Sequence, residues 1–243
     1  GAGRSFIAGA DIRQFGKPRQ IPARSTYDSL DLGKKPIVAA IHGYALGGGL
    51  ENALACHYRI AVPSAKVGLP EVNIGILPGG GGTQRLPRLI GPKAAMELIV
   101  SGRHVGAEEA KRLGIIDAIV EGKDLRAEAI AYAKAIAATR PLPRVRDKSD
   151  RLDEVRSDAG MFEAMRKSIA RKARNQKAPY HCIAAVEAAT QEPFEQGMQT
   201  ELRLFAELEN ADEARALRYA FFAEREVTKI PGLDANLPLP ELK

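Results

Sequence analysis

The sequence predicts an α/β first half followed by an all-helical second half. Three observations carry that reading. Residues 36–46, PIVAAIHGYAL, are a continuous apolar run opened by Pro36 and closed by glycines, the pattern of a buried strand. Short strand-like and helix-like stretches then alternate to about residue 120, punctuated by glycine. Beyond about residue 124 the strand signals stop, and long amphipathic patterns such as 126–139 and 198–208 take over.

In chain order, Gly47-Gly48-Gly49 follows the first strand and leads into LENALACHYRI, a short helix running into a strand. Residues 65–69 read as another short strand. Residues 75–82, GILPGGGG, read as a loop, because neither helix nor strand tolerates that glycine and proline content. Residues 92–101 and 107–113 carry helical patterns, the second closed by Gly114 as a C-cap. Residues 115–120 read as a strand. Pro141-Leu142-Pro143 marks a joint, and the Pro-rich tail 236–243 reads as a linker. The expected division is 1–124 as an α/β core, 125–235 as a helical region with a linker helix, and 236–243 as the Pro-rich linker. The opening, Gly1-Ala2-Gly3-Arg4-Ser5-Phe6, is a glycine turn with no strand or helix before it, so the chain is expected to be cut from something longer.

At ~100–200 residues per domain, 243 residues make one domain or two small ones. With 45% hydrophobic and 27% charged residues, a chain of this length buries a core without disulfides or metal. Two distant cysteines, Cys56 and Cys182, exclude a disulfide scaffold and a Cys-rich zinc module, and fit a reducing compartment such as the cytoplasm. No apolar stretch approaches the ~18 residues of a membrane span, and no signal-peptide pattern opens the chain. The net charge of +6 favours an anionic ligand. Phosphate-loop, dinucleotide, HExxH and GxSxG motifs are absent. His42, His57, His104 and His181 lack metal-ligand spacing and read as structural, and Cys56 as a buried inert thiol. Six basic residues between 166 and 177, with no acidic one, read as a solvated helix face; attraction of an anionic ligand is the other reading. Nucleic acid is disfavoured because no aromatic residues interleave with them.

Three segments carry the chemistry: 6–12, FIAGADI; 43–51, GYALGGGLE; and 68–83, GLPEVNIGILPGGGGT. In the second, a buried strand runs into three glycines and then a helix. The first N–H groups of a helix have no internal partner, a glycine lets a ligand approach them, and the helix dipole adds positive potential. That is how a donor is fixed where negative charge develops. Glu51 falls in the first turn of that helix, either as a cap or beside the donor site. Glu71 stands in a stretch too apolar to favour a carboxylate, either as a turn residue or as a partner to Glu51. Two carboxylates beside one anion-stabilising site suit proton transfer.

AGAD at 8–11, GGGLE at 47–51 and LPE…GILPGGGGTQRLPR at 69–88 together resemble the crotonase (enoyl-CoA hydratase/isomerase) superfamily, closely over residues 1 to about 120. The resemblance implies a crotonase fold of stacked ββα units, with its N-terminal strands missing, followed by the helical region. It implies an oxyanion hole from the N–H groups of Ala10 and Gly48, Glu51 and Glu71 as the two catalytic glutamates, and Ala8, Asp11, Ile12 and Gly49 as further substrate contacts. Segments 201–208 and 216–231 resemble the end of the hydratase/isomerase part of multifunctional enzymes of type 1. There a 3-hydroxyacyl-CoA dehydrogenase part follows, absent from this sequence. The implied activity is hydration of a 2-enoyl-CoA, with or without Δ3-Δ2 double-bond shift. The implied partner is an acyl-CoA substrate, with a homo-oligomer left open; no metal, redox cofactor, nucleic acid or membrane is implied. A dedicated isomerase and a non-catalytic acyl-CoA- or RNA-binding relative are the alternatives, and the peroxisomal matrix is the alternative location. Asn52 departs from the apolar residue usual in relatives and is expected to alter hydrogen bonding at Glu51.

Overall fold

The computed structural model describes residues 3–15, 23–121 and 124–227. The first helix, α1 (Ala23–Asp31), precedes strands β1 (Val38–Ile41) and β2 (Tyr44–Leu46), and helix α2 (Gly48–Ala55) follows. Strands β3 (Tyr58–Ala61) and β4 (Lys66–Gly68) come next, then helices α3 (Gly82–Ile90) and α4 (Pro92–Ser101). Strand β5 (Val105–Gly106), helix α5 (Ala107–Leu113) and strand β6 (Ala118–Ile119) complete the α/β half. The remaining elements are helical: α6 (Leu125–Ala135), α7 (Glu154–Ser157), α8 (Met161–Ile169), α9 (Ala178–Gln191), α10 (Phe194–Glu209) and α11 (Asp212–Val227).

The single strand expected over 36–46 is two strands. Gly43, with φ of +58°, bends the chain where a Cβ would stand 2.3 Å from the Arg4 carbonyl oxygen. β1 then joins one sheet in the order β1-β3-β6, and β2 joins another in the order β2-β4-β5. β1 pairs in parallel with β3, Val38 opposite Tyr58, and β2 pairs in parallel with β4, Tyr44 opposite Lys66. Each strand pair thus stacks on the one before it, and α2 supplies the crossover that parallel pairing requires. Ile7 extends the second sheet through a parallel bridge to Ala45, which carries residues 8–11 to the end of β2. The strand expected over 115–120 is shorter: only Ala118 and Ile119 pair with β3.

The sequence reading leaves α3 out, and Gly82, expected in the loop, begins it. Its sequence, GTQRLPRLI, has Pro87 inside, and all nine residues are buried, its polar side as well as Leu86, Leu89 and Ile90. Most of its polar atoms find partners in place, although Gln84 Oε1 has none among the described residues. Gln84 Nε2 donates to the Ala185 carbonyl at 2.8 Å, Arg88 Nη1 to the Gln84 carbonyl at 2.7 Å, and Arg85 pairs with the equally buried Asp31. A buried ion pair of this kind fixes geometry more than it adds stability. One apolar core runs through both halves, joining Ile41, Leu54 and Met96 to Ile183, Val186 and Leu204, with α9 laid across α3 and α4. The basic run 166–177 is not one helix face, because α8 ends at Ile169 and α9 starts at Ala178, leaving much of it in the connecting turn. The tail 236–243 and the last residues of the segment 216–231 lie outside the described residues. Among the described residues no helix is long and apolar enough to cross a membrane.

Candidate active site

The site is built where β2 meets α2. Gly47, the N-cap of α2, has φ of +53° and donates its N–H to the Gly68 carbonyl at 2.9 Å, tying the ends of β2 and β4 together. Glycine is required here, since a Cβ would lie 2.7 Å from Glu71 Oε1. Gly48 opens the helix, so its N–H has no intrahelical acceptor. Ala10 arrives from the segment bridged to β2, and its nitrogen lies 3.8 Å from where a Cβ on Gly48 would stand. Neither N–H meets a protein acceptor among the described residues. The two donors expected from separate segments are therefore neighbours, both on the wall of a cavity of about 960 Å³.

Glu51, one turn into α2, is buried and lines the same cavity. Its Oε1 accepts the N–H groups of Gly80 at 2.7 Å and Gly82 at 2.8 Å. Its other oxygen receives no protein hydrogen bond among the described residues. Burial raises the Glu51 pKa, opposed by those two N–H groups and by Arg85. Glu71 opens a 3₁₀ turn, Glu71–Ile74, and lines the same cavity; its Oε2 is shielded from solvent and has no partner among the described residues. Burial first, and the Glu51 charge second, push its pKa well above the ordinary carboxylate value. Two carboxylates thus share one cavity with different supports: Glu51 holds two N–H donors that favour its ionised form, and Glu71 lacks equivalent donors. Such a contrast is what a base and an acid sharing one site require.

Ala8, Asp11 and Ile12, expected as substrate contacts, line the cavity. Asp11 caps the short turn Ile12–Gln14 and pairs with Arg13, whose bonds lower the Asp11 pKa to about 2. Gly49 does not line it. A Cβ there would stand 2.1 Å from the Ile7 carbonyl oxygen, so this glycine permits close packing of α2 on the 6–12 segment. Asn52 makes no hydrogen bond to the Glu51 carboxylate among the described residues; its Nδ2 donates to the Gly48 carbonyl at 2.8 Å and so braces the peptide next to the donor. His104, read as structural, stands on the cavity wall against Tyr44. Among the described residues no group of three or more His, Cys, Asp or Glu side chains is placed to hold a metal ion.

Sequence reasoning missed Tyr27, Phe205, Phe221 and Phe222, which the helices bring to the cavity from both ends of the chain. It also missed Glu201, buried on α10 behind the glycine loop. A signal for Glu201 was present. Met198, Leu204, Phe205 and Leu208 form the buried stripe of α10, and Glu201 falls inside that stripe, where an acid needs a partner. Its oxygens accept the Gly81 N–H at 2.7 Å, the Thr83 N–H at 3.2 Å and the Thr83 hydroxyl. Burial, and then the Glu51 charge, raise its pKa from 4.5 to about 8. The sign follows from linkage. Between those two values the folded protein keeps a proton the unfolded chain has released, so this contribution to stability is full below pH 4.5 and lost as pH rises through about 8. Thermal unfolding at pH 5 and pH 8.5 is therefore expected to show a larger drop for the wild type than for Glu201→Gln. Parallel curves for the two proteins would show that Glu201 keeps one protonation state throughout.

Known proteins resemble this chain in sequence and in fold. The profile of a family described as Enoyl-CoA hydratase/isomerase matches residues 1–150. A peroxisomal bifunctional enzyme of Danio rerio is 46% identical over 230 residues, covering 92% of this chain and 31% of that protein. The chain thus spans about a third of the length of the curated relatives it matches. An enoyl-CoA hydratase from Bacillus anthracis, known from its crystal structure, is 31% identical, with a TM-score of 0.52, covering 92% of this chain and 76% of that one. An enoyl-CoA hydratase/isomerase from Pseudoalteromonas atlantica T6c shares the fold at a TM-score of 0.64 and 24% identity, covering 91% of this chain and 76% of that one.

Proposed function

The chain belongs to the enoyl-CoA hydratase/isomerase family, and from that premise we propose that it adds water across the C2–C3 double bond of a 2-enoyl-CoA thioester. The observation that carries this reading is one cavity holding two unpartnered N–H groups, Ala10 and Gly48, and two dissimilar carboxylates, Glu51 and Glu71. The thioester oxygen accepts both N–H groups, which favours the enolate that forms when hydroxide adds at C3. Glu51 takes a proton from water as the oxygen attacks, and Glu71, protonated at the start, delivers a proton to C2. Each carboxyl ends in the state the other began in, and proton exchange with solvent resets them.

The partnerless oxygen of Glu71 favours a second activity at the same site, the Δ3-Δ2 double-bond shift, which needs one carboxylate to move a proton between C2 and C4. The proposed reaction uses only protein groups and water, with CoA entering as part of the substrate. The basic balance of the chain, and Arg13 and Arg225 on the cavity wall, suit that anionic substrate. The lengths of the relatives support reading the chain as the hydratase/isomerase part of a longer multifunctional β-oxidation protein, with a 3-hydroxyacyl-CoA dehydrogenase part elsewhere. The name of the Danio rerio relative supports the peroxisomal matrix over the cytoplasm as its place. The division at residue 124 is kept as one of composition, with both parts sharing the core.

The test is direct. Purified chain mixed with crotonyl-CoA is expected to consume the conjugated thioester chromophore and yield 3-hydroxybutyryl-CoA. Tight binding of crotonyl-CoA without turnover would instead support a non-catalytic binder.

A further inference from the structure

The glycine loop is gripped from both sides. Four successive backbone N–H groups, those of residues 80 to 83, alternate between two buried carboxylates. Gly80 and Gly82 donate to Glu51 Oε1, at 2.7 and 2.8 Å. Gly81 donates to Glu201 Oε1 at 2.7 Å, and Thr83 to Glu201 Oε2 at 3.2 Å, with the Thr83 hydroxyl on that same oxygen. Arg85 holds the Gly80 carbonyl at 3.1 Å from below and is itself anchored on Asp31. The alternation is possible because Gly81 takes φ of +95°, which turns successive N–H groups to opposite faces as the loop enters α3.

Glu201 does not line the cavity, so it touches no substrate. Its whole hydrogen-bonding capacity goes to the loop that orients Glu51. We infer that Glu201 is a positioning residue for Glu51: by pinning the N–H groups of Gly81 and Thr83, it aims those of Gly80 and Gly82 at one Glu51 oxygen, and leaves the other facing the cavity for water. This rests on the reading of Glu51 as the group that activates water. Without Glu201, the N–H groups of Gly81 and Thr83 lose their acceptors, in a run of four glycines whose backbone is otherwise free to take several conformations.

The test compares Glu201→Gln, Glu51→Gln and the double variant in steady-state hydration of crotonyl-CoA, with circular dichroism confirming the fold. Gln keeps the shape of Glu but turns an NH₂ group towards one of the loop donors, which loosens the grip. The kcat of Glu201→Gln is expected to fall roughly 10–10²-fold, the scale of a misplaced catalytic group, with KM changed by less than about twofold. In the Glu51→Gln background, Glu201→Gln is expected to cost nothing more, because a residue acting through Glu51 has nothing left to position. An unchanged kcat in folded Glu201→Gln, or an equal further loss in the double variant, overturns the inference. Full activity of Glu51→Gln overturns the reading of the site itself; loss there with full activity in Glu201→Gln overturns only the role of Glu201. Should Glu201→Gln not fold, Thr83→Val removes just the hydroxyl donor to Glu201. It is expected to lower kcat roughly 3–10-fold, the worth of one hydrogen bond, and an unchanged kcat there overturns the inference equally.

Discussion

Replacing either Glu51 or Glu71 by Gln is expected to slow crotonyl-CoA hydration by about 10²–10⁴-fold, the usual worth of positioned acid–base catalysis. The two losses should differ in character. In Glu51→Gln the amide oxygen still accepts an N–H from Gly80 or Gly82, so the loop and the fold are expected to survive while the base is gone. Glu71→Gln replaces a carboxyl whose Oε2 already lacks a partner, so no protein hydrogen bond to that oxygen is lost, and the effect falls on proton delivery alone. The rate against pH should reflect the same contrast. Both carboxyls have raised pKa values, so wild-type kcat/KM should be bell-shaped, with Glu51 needed ionised on the acid side and Glu71 needed protonated on the alkaline side. Glu51→Gln should remove the acid limb and Glu71→Gln the alkaline limb from whatever activity remains. Near-normal turnover by either variant removes that residue from the mechanism, and limbs lost in the reverse order would exchange their roles.

Gly48→Pro is expected to lower kcat by roughly 10²–10³-fold, the cost of one lost oxyanion donor. Proline is the informative choice because Gly48 is the first residue of α2, the position where a helix best tolerates proline and where its N–H is unpaired in any case. The substitution therefore deletes the donor with little demand on the helix. A Cβ at that position also meets only ordinary contacts, 3.4 Å from the Tyr27 hydroxyl and 3.8 Å from the Ala10 nitrogen. The companion measurement is thermal unfolding: lost activity with a melting temperature close to wild type isolates the donor, whereas full activity would show that the thioester oxygen is held elsewhere.

Much of the site was legible locally. Glycine at 47–49 after an apolar strand announced a helix start with open donors, and Glu51 falls in that helix's first turn because the spacing is fixed by the helix itself. Helices α4 and α5 matched their patterns because Pro92 at the start of one and Gly114 at the end of the other are signals written in neighbouring residues. α3 was not legible, because a helix buried on every side owes its stability to partners such as Asp31 and Ala185, far off in sequence. The break within 36–46 was equally hidden. Nothing in an apolar run shows that its two ends join different sheets; the close approach of the Arg4 carbonyl to Gly43 decides that.

From the sequence by itself, the motifs identified the family, the glycine turn before α2 marked Gly48 as an open donor, and the resemblance named Ala10, Glu51 and Glu71 as its expected companions. Only the tertiary structure decided what surrounds them. It set Gly49 against Ile7 and outside the cavity, and turned Asn52 to the Gly48 carbonyl. It brought Glu201 from about 120 residues away to face the same loop as Glu51, and closed the cavity with aromatic residues from α10 and α11. The physical reason is range. Capping, glycine turns and helical spacing act over a few residues, whereas the burial and hydrogen bonding that tune a carboxylate depend on whichever distant segments the packed core brings beside it.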